Sequence, residues 1–189
     1  MRVFVTSFGP FGDHKVNPSS QAVKKLKEIW ESRSELSGSD LELNTITDVQ
    51  DLVIHVGLNA CSTSLNLETR AFNSYYDSPD INMSYCGCDG FCVPGGPQEI
   101  LCGLNLKRTC DLLCNSGNPC ELSDDPHTFL CGFIYYLSLS RNRGRCAFLH
   151  VPCISNFWTQ DRLAEALILV AQDLTSQIMM SNSDISSFE

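Results

Sequence analysis

Residues 128–152 read TFLCGFIYYLSLSRNRGRCAFLHVP and contain a helix pattern, a turn and a strand pattern in succession. Apolar side chains recur at helical spacing after Cys131, and residues 141–145 form a polar turn that contains a glycine. Residues 146–151 are an almost continuous apolar run, which is typical of a buried strand. This helix–turn–strand unit predicts an α/β fold with a largely parallel sheet.

Cys131 and His150 lie at the start of the predicted helix and near the end of the predicted strand. We expect the pKa of a thiol near a helix N-terminus to fall, because exposed N–H groups and the helix dipole stabilise the thiolate. A histidine at the carboxyl end of a parallel strand lies at the edge where open α/β sheets hold their active sites. The two residues therefore suggest a nucleophile and its base. A core cysteine beside a structural histidine is the alternative that this pair alone leaves open.

The rest of the chain continues the alternation of strands and helices. The pattern predicts strands at residues 2–8, 52–57 and 119–123, and helices that start after the N-cap Asn17, at about residue 105 and after the N-cap Thr159. Residues 58–97 lack clear elements and predict an excursion outside the sheet. We expect a single domain over residues 1–180, built on an open, mostly parallel twisted sheet flanked by helices. Residues 181–189 are expected to form a polar, disordered tail.

Composition and charge limit the function classes. The chain has 189 residues and a formal net charge of −9, without a basic stripe, which argues against nucleic acid or an anionic membrane as partner. No signal peptide and no membrane-spanning apolar run are recognisable in the sequence, so we expect a cytosolic protein. The odd number of cysteines, eleven, fits poorly with a complete disulfide framework, and thiols remain reduced in the cytosol.

Three separated motifs resemble one known family. The first is Val5-Thr6-Ser7-Phe8-Gly9-Pro10-Phe11-Gly12 with Asn17-Pro18-Ser19 after it, in which Ser7 replaces the family's glycine. The second is Leu52-Val53-Ile54-His55-Val56-Gly57, followed by Leu67-Glu68-x-x-Ala71-x-Asn73. The third is Phe129-Leu130-Cys131 with Ala147-Phe148-Leu149-His150-Val151-Pro152. On these motifs the chain resembles the pyroglutamyl-peptidase I family over most of its length.

The resemblance implies a cysteine exopeptidase that removes an N-terminal pyroglutamyl (5-oxoproline) residue from peptides, without a metal or an organic cofactor. It implies that Cys131 is the nucleophile, His150 the acid and base, and Glu68 the carboxylate that orients the imidazole. It also implies substrate contacts from four apolar residues: Phe8, Phe11, Phe129 and Leu130. The partners expected from it are therefore peptides with an N-terminal pyroglutamate.

The chain departs from the family pattern in two places near these motifs. Residues 124–128 read Asp-Asp-Pro-His-Thr where the family has a glycine-containing turn, and Gly132 replaces an Asn or Asp after the cysteine. Residues 44–50 join a weak strand at 41–43 to the strand at 52–57 almost directly. A parallel pair needs a crossover of a dozen or more residues, so one crossover helix of the family is expected to be missing.

Two other functions remain open at the level of the sequence. The short link at 44–50 and the altered turn before Cys131 favour a shortened, non-catalytic relative that binds peptides. Cys86, Cys88 and Cys92 suggest a cysteine-rich metal-binding protein, but no second pair at suitable spacing completes a four-ligand set.

Overall fold

A computed structural model describes residues 2–10, 12–13, 15–33, 52–73, 76, 83–85 and 90–186. The elements in chain order are β1 (Val3–Ser7), α1 (Pro18–Ser32), β2 (Leu52–Leu58), β3 (Leu65–Glu68), β4 (Arg70–Phe72), β5 (Glu99–Leu101), α2 (Leu106–Asn115), β6 (Cys120–Ser123), α3 (Leu130–Asn142), β7 (Cys146–Val151) and α4 (Gln160–Ser186).

Five of the strands form one sheet in the order β1-β2-β7-β3-β6. Neighbouring strands are parallel except at β3 and β7, which pair antiparallel, with Leu67 opposite Leu149 and Asn66 opposite His150. Strands β4 and β5 form a separate two-stranded antiparallel sheet. The predicted α/β fold with a mostly parallel sheet is confirmed.

The prediction that residues 58–97 lie outside the sheet was wrong. Strand β3 lies within this range and pairs with both β7 and β6 in the main sheet. All four of its residues are buried, and the strand is so short that its alternation of apolar and polar residues, Leu-Asn-Leu-Glu, does not stand out from the irregular sequence around it.

The predicted loss of a crossover helix concerns residues 41–50, which lie outside the described residues. The parallel pair β1 and β2 is connected by a long segment that includes α1. This segment satisfies the length that a parallel connection requires.

Helix α1 begins where the sequence predicts. Asn17 is the N-cap, and its Oδ1 accepts a hydrogen bond from the backbone N–H of Ser19 at 3.0 Å, while Pro18 occupies the first turn. Asn105 caps α2 in the same way, because its Oδ1 accepts from the N–H of Arg108 at 3.1 Å. Both caps satisfy backbone donors that a helix start leaves without helical partners.

The two faces of the sheet contact different helices. Val3, Ile54, Leu67 and Leu149 belong to a core cluster that also contains residues of α1, α2 and α4. Phe148 belongs to a second cluster, with the residues of α3. Because side chains alternate along a strand, even-numbered residues of β3 and β7 face α3. This parity determines which polar residues meet on the α3 face.

Helix α4 is long and apolar enough to cross a membrane by length and composition over Gln160–Ser181, but most of this segment is buried inside the protein. Its apolar residues belong to the first core cluster, as expected for a core helix: Leu163, Leu167, Ile168, Ala171, Leu174 and Ile178. The helix continues to Ser186, six residues into the range predicted to be a tail. The boundary of the domain at residue 180 stays a prediction.

His55 is a buried polar residue on the α3 face of β2. Its Nδ1 lies 2.7 Å from Thr6 Oγ1 and its Nε2 lies 2.8 Å from Ser138 Oγ, so the ring links β1, β2 and α3. Burial lowers the pKa of His55 to about 4 from its ordinary value of 6.5. The imidazole is therefore neutral in the folded protein at neutral pH.

We expect His55 to make the protein less stable in mild acid. Between pH 6.5 and 4 the unfolded chain binds a proton that the folded protein does not, so stability falls as the pH falls through this window. This difference between the folded and unfolded pKa of His55 lowers the free energy of unfolding by about 3 kcal/mol once the pH is below 4. Urea unfolding at several pH values should show a smaller pH dependence for His55→Gln than for wild type. Parallel pH profiles for the two proteins would contradict this assignment.

Candidate active site

A buried carboxylate and imidazole face each other on the α3 side of the sheet. Glu68 Oε1 lies 2.7 Å from His150 Nδ1, and both side chains are only 1% exposed. The residues lie diagonally across the antiparallel pair, because Leu67 is opposite Leu149 and Asn66 is opposite His150. The pair therefore depends on the register of β3 against β7.

The hydroxyl of Tyr135 on α3 donates a hydrogen bond to the backbone oxygen of Glu68 at 2.8 Å. The Tyr135 ring also packs 5.5 Å from that of Phe148, and the Phe148 ring lies 4.8 Å from that of His150. Tyr135 thus holds the end of β3 against α3 and supports the Glu68–His150 pair. From the sequence pattern, Tyr135 is predicted only to be a core aromatic residue, and nothing in the pattern indicates the hydrogen bond that its hydroxyl makes.

Cys131 lies at the start of α3, on the same side of the sheet. Its side chain packs against the cluster that contains Phe148 and Tyr135. His127, four residues earlier, has its ring centroid 5.8 Å from that of His150. Burial raises the pKa of the Cys131 thiol, and the negative charge of nearby Glu68 raises it further. Cys131, His150 and Glu68 therefore lie on the same side of the sheet, with the Glu68 carboxylate bonded to His150 and near enough to act on the thiol.

The expected fall in the pKa of Cys131 is not found. Burial, and then the charge of Glu68, raise the pKa of the thiol to about 12, whereas the backbone N–H of Cys131 lowers it by a smaller amount. The helix start therefore acts in the predicted direction, but desolvation of the thiolate outweighs it. The resting group is a neutral thiol, and a base is needed to activate it.

Three of the four residues expected to contact substrate can be placed. Phe8 is half-buried, and its ring centroid lies 6.2 Å from that of Phe148. Phe129 and Leu130 are exposed directly before Cys131. Phe11 lies outside the described residues. Of these residues, Phe8 thus lies beside Phe148, and Phe129 and Leu130 immediately precede Cys131 in the chain.

The turn before Cys131 has a strained backbone. His127 has φ +64°, in the left-handed region that favours glycine. Its N–H donates to Asp125 Oδ1 at 2.9 Å, which closes a local turn. A Cβ atom at Gly132 would collide with the backbone oxygen of His127 and would lie 3.0 Å from the Tyr76 hydroxyl oxygen. The two departures from the family pattern, at 127 and 132, are therefore sterically coupled.

We expect Gly132→Ala to displace this turn. The added methyl group meets the backbone oxygen of His127, which cannot rotate away as a side chain can, so we expect a loss of roughly 1–3 kcal/mol in the free energy of unfolding. Hydrolytic activity should fall with it because Cys131 is adjacent. Urea unfolding together with an activity assay measures both effects. Gly144→Ala is the matched control, since its Cβ would lie 3.5 Å from Asn142 Oδ1, and equal stability losses in the two variants would contradict the steric coupling.

Within the part of the chain that the structure describes, no group of three or more His, Cys, Asp or Glu side chains is arranged to hold a metal ion. Cys86 and Cys88, which suggested a metal site, lie outside that part.

Comparisons with a family model and with curated proteins all find pyroglutamyl peptidases. A family model described as pyroglutamyl peptidase matches residues 1–167. Pyroglutamyl-peptidase 1 of Rattus norvegicus is 32% identical over 198 residues, which cover 97% of this chain and 94% of the relative. The human pyroglutamyl-peptidase 1-like protein is 31% identical over 158 residues, which cover 84% of this chain and 72% of the relative.

Solved structures with the same fold come from two thermophiles. Pyrrolidone carboxyl peptidase of Pyrococcus furiosus superimposes with a TM-score of 0.74 at 23% identity, over 94% of this chain and 100% of that chain. The enzyme of Fervidobacterium islandicum gives a TM-score of 0.74 at 23% identity, over 93% of this chain and 99% of that chain. At this level of identity, the similarity shows the fold.

Proposed function

Because the chain belongs to the pyroglutamyl peptidase family, we propose that it is a cysteine exopeptidase that hydrolyses the amide bond after an N-terminal pyroglutamyl residue. The observation that carries this proposal is the buried Glu68–His150 pair on the same sheet face as the Cys131 thiol. The relatives named pyroglutamyl-peptidase 1 support the substrate class. Peptides with a pyroglutamyl N-terminus are therefore the proposed partners, and the cytosol is the proposed location.

Cleavage begins with activation of a neutral thiol. Glu68 accepts a hydrogen bond from Nδ1–H of His150, so Nε2 carries the lone pair that can take a proton. As the sulfur of Cys131 attacks the pyroglutamyl carbonyl carbon, the thiol proton passes to Nε2. The carboxylate of Glu68 then stabilises the imidazolium that forms.

The amide bond breaks in the second half of the acylation step. The tetrahedral intermediate collapses, the carbon–nitrogen bond breaks, and the departing amine takes the proton from His150. A water molecule then attacks the thioester, His150 accepts its proton, and collapse returns that proton to the Cys131 sulfur as pyroglutamic acid leaves. The backbone N–H of Cys131, at the start of α3, is the proposed donor to the oxyanion in both halves.

Apolar side chains near Cys131 suit the pyroglutamyl group, which is the acyl group that the enzyme must bind. A lactam ring is small, flat and uncharged, so it is recognised by apolar walls and a few hydrogen bonds. We assign one wall to Phe8, which packs beside Phe148, and further contacts to Phe129 and Leu130. Phe11 is proposed on the resemblance of its motif alone.

A fluorogenic pyroglutamyl amide tests the function directly. Purified protein should release the fluorophore, and the matching prolyl amide, which lacks the lactam oxygen, should not be cleaved. Absence of release from protein that shows a cooperative thermal transition would favour the shortened, non-catalytic relative. Stoichiometric zinc in such an inactive sample would instead favour the cysteine-rich metal-binding protein.

A further inference from the structure

His127 has three features that a passive turn residue does not need. Its backbone has φ +64°, which costs a non-glycine residue roughly 1 kcal/mol or more. Its side chain is 47% exposed, although its ring lies against that of the buried His150. Its backbone oxygen occupies the space above Gly132, which fixes the turn relative to α3. The chain therefore keeps an imidazole where glycine would be less strained.

Asp125 helps to hold His127 in this position. The backbone N–H of His127 donates to Asp125 Oδ1 at 2.9 Å, and the Nδ1 atom of His127 lies 3.9 Å from Asp125 Oδ2. The carboxylate of Asp125 thus holds the backbone of the turn and also lies near the ring.

The position of the ring relative to His150 indicates which part of a substrate it meets. The leaving nitrogen must come within about 3 Å of His150 Nε2 to be protonated. The Cα atom of the leaving residue then lies within about 4.5 Å of Nε2, since the N–Cα bond is about 1.5 Å long. The centroid of the His127 ring lies 5.8 Å from that of His150, which is within reach of the side chain on that Cα.

On this basis we propose that His127 determines specificity for the residue that follows pyroglutamate, and that it favours aromatic leaving residues. This inference rests on the proposed function. The exposed face of an imidazole offers a flat π surface for stacking. The acyl side is assigned to Phe8, which packs against Phe148 instead.

The test compares leaving residues in His127 variants. His127→Gly removes the ring and suits the left-handed backbone, and His127→Asn also tolerates that backbone. We expect kcat/KM for pyroglutamyl-phenylalanine amide to fall about three- to tenfold in both variants, mainly through KM. The value for pyroglutamyl-alanine amide should change less than twofold. Thermal melts check that both variants fold.

Other outcomes overturn the inference. An equal loss on both substrates would show that His127 acts through His150 or through the turn. A gain on both would show that the ring obstructs the site, and no change on either would show that it does not meet the substrate. Wild-type protein that cleaves neither substrate would contradict the proposed function itself, whereas wild-type cleavage with an unaltered preference in the variants would contradict only the role of His127.

Discussion

Cys131→Ser and His150→Ala should each reduce hydrolysis of a pyroglutamyl amide by at least about a thousandfold. A serine hydroxyl at position 131 is a much weaker nucleophile than the sulfur, and removal of the His150 imidazole takes away the proposed base that Glu68 orients. Losses of this order are typical when one member of such a triad is removed. Initial rates of fluorophore release, measured at equal enzyme concentrations and saturating fluorogenic amide, give the size of the effect.

The controls separate chemistry from folding. Cys61→Ser changes an exposed thiol outside the site and should retain wild-type rates. Cys131→Ser should also retain a cooperative melt, because it replaces one atom at a half-buried position. If Cys131→Ser kept more than a tenth of the wild-type rate, another residue would have to be the nucleophile.

Glu68→Gln should change two properties of the site in opposite directions. Hydrolysis should fall about a hundredfold or more, because the amide neither fixes the His150 tautomer nor stabilises the imidazolium. The charge of Glu68 raises the pKa of Cys131, so its removal lowers that pKa and should increase alkylation of the thiol by iodoacetamide at pH 7.5. Peptide mass spectrometry measures alkylation at Cys131, with Cys61 as an internal reference in the same sample.

The paired readout distinguishes two states of the resting site. If the thiol is neutral at rest, Glu68→Gln reacts faster with iodoacetamide although it hydrolyses substrate more slowly. If instead the resting site is a thiolate paired with an imidazolium that Glu68 stabilises, both rates fall together. The second result would contradict the activation of a neutral thiol by His150 during attack.

Much of the fold can be predicted from local signals. Asn17 and Pro18 mark the start of α1 because capping depends on neighbouring residues alone, and the apolar run at 146–151 marks β7. Strand β3 could not be predicted in this way. Its place in the sheet comes from pairing with β7 and β6, which are distant in sequence. The reversal of direction between β3 and β7 has the same origin.

The sequence was enough to propose which residues form the candidate site, but it was not enough to predict the pKa of the Cys131 thiol. The motifs that resemble the family identify Glu68 and His150, and the structure brings these side chains within 2.7 Å. The pKa of Cys131 depends on burial and on a carboxylate that is 63 positions away in the chain, so reasoning from the helix start alone gives the wrong sign. The coupling of His127 to Gly132 likewise depends on backbone coordinates.

The antiparallel junction between β3 and β7 makes the proposed catalytic site sensitive to strand alignment during folding. A shift of β3 by one residue would turn Glu68 to the opposite face, toward the apolar cluster beneath α1, α2 and α4. A chain misaligned in this way could remain compact and keep its helices while losing the Glu68–His150 pair. Recovery of enzymatic turnover after dilution from denaturant is therefore a stricter measure of correct refolding than recovery of circular dichroism.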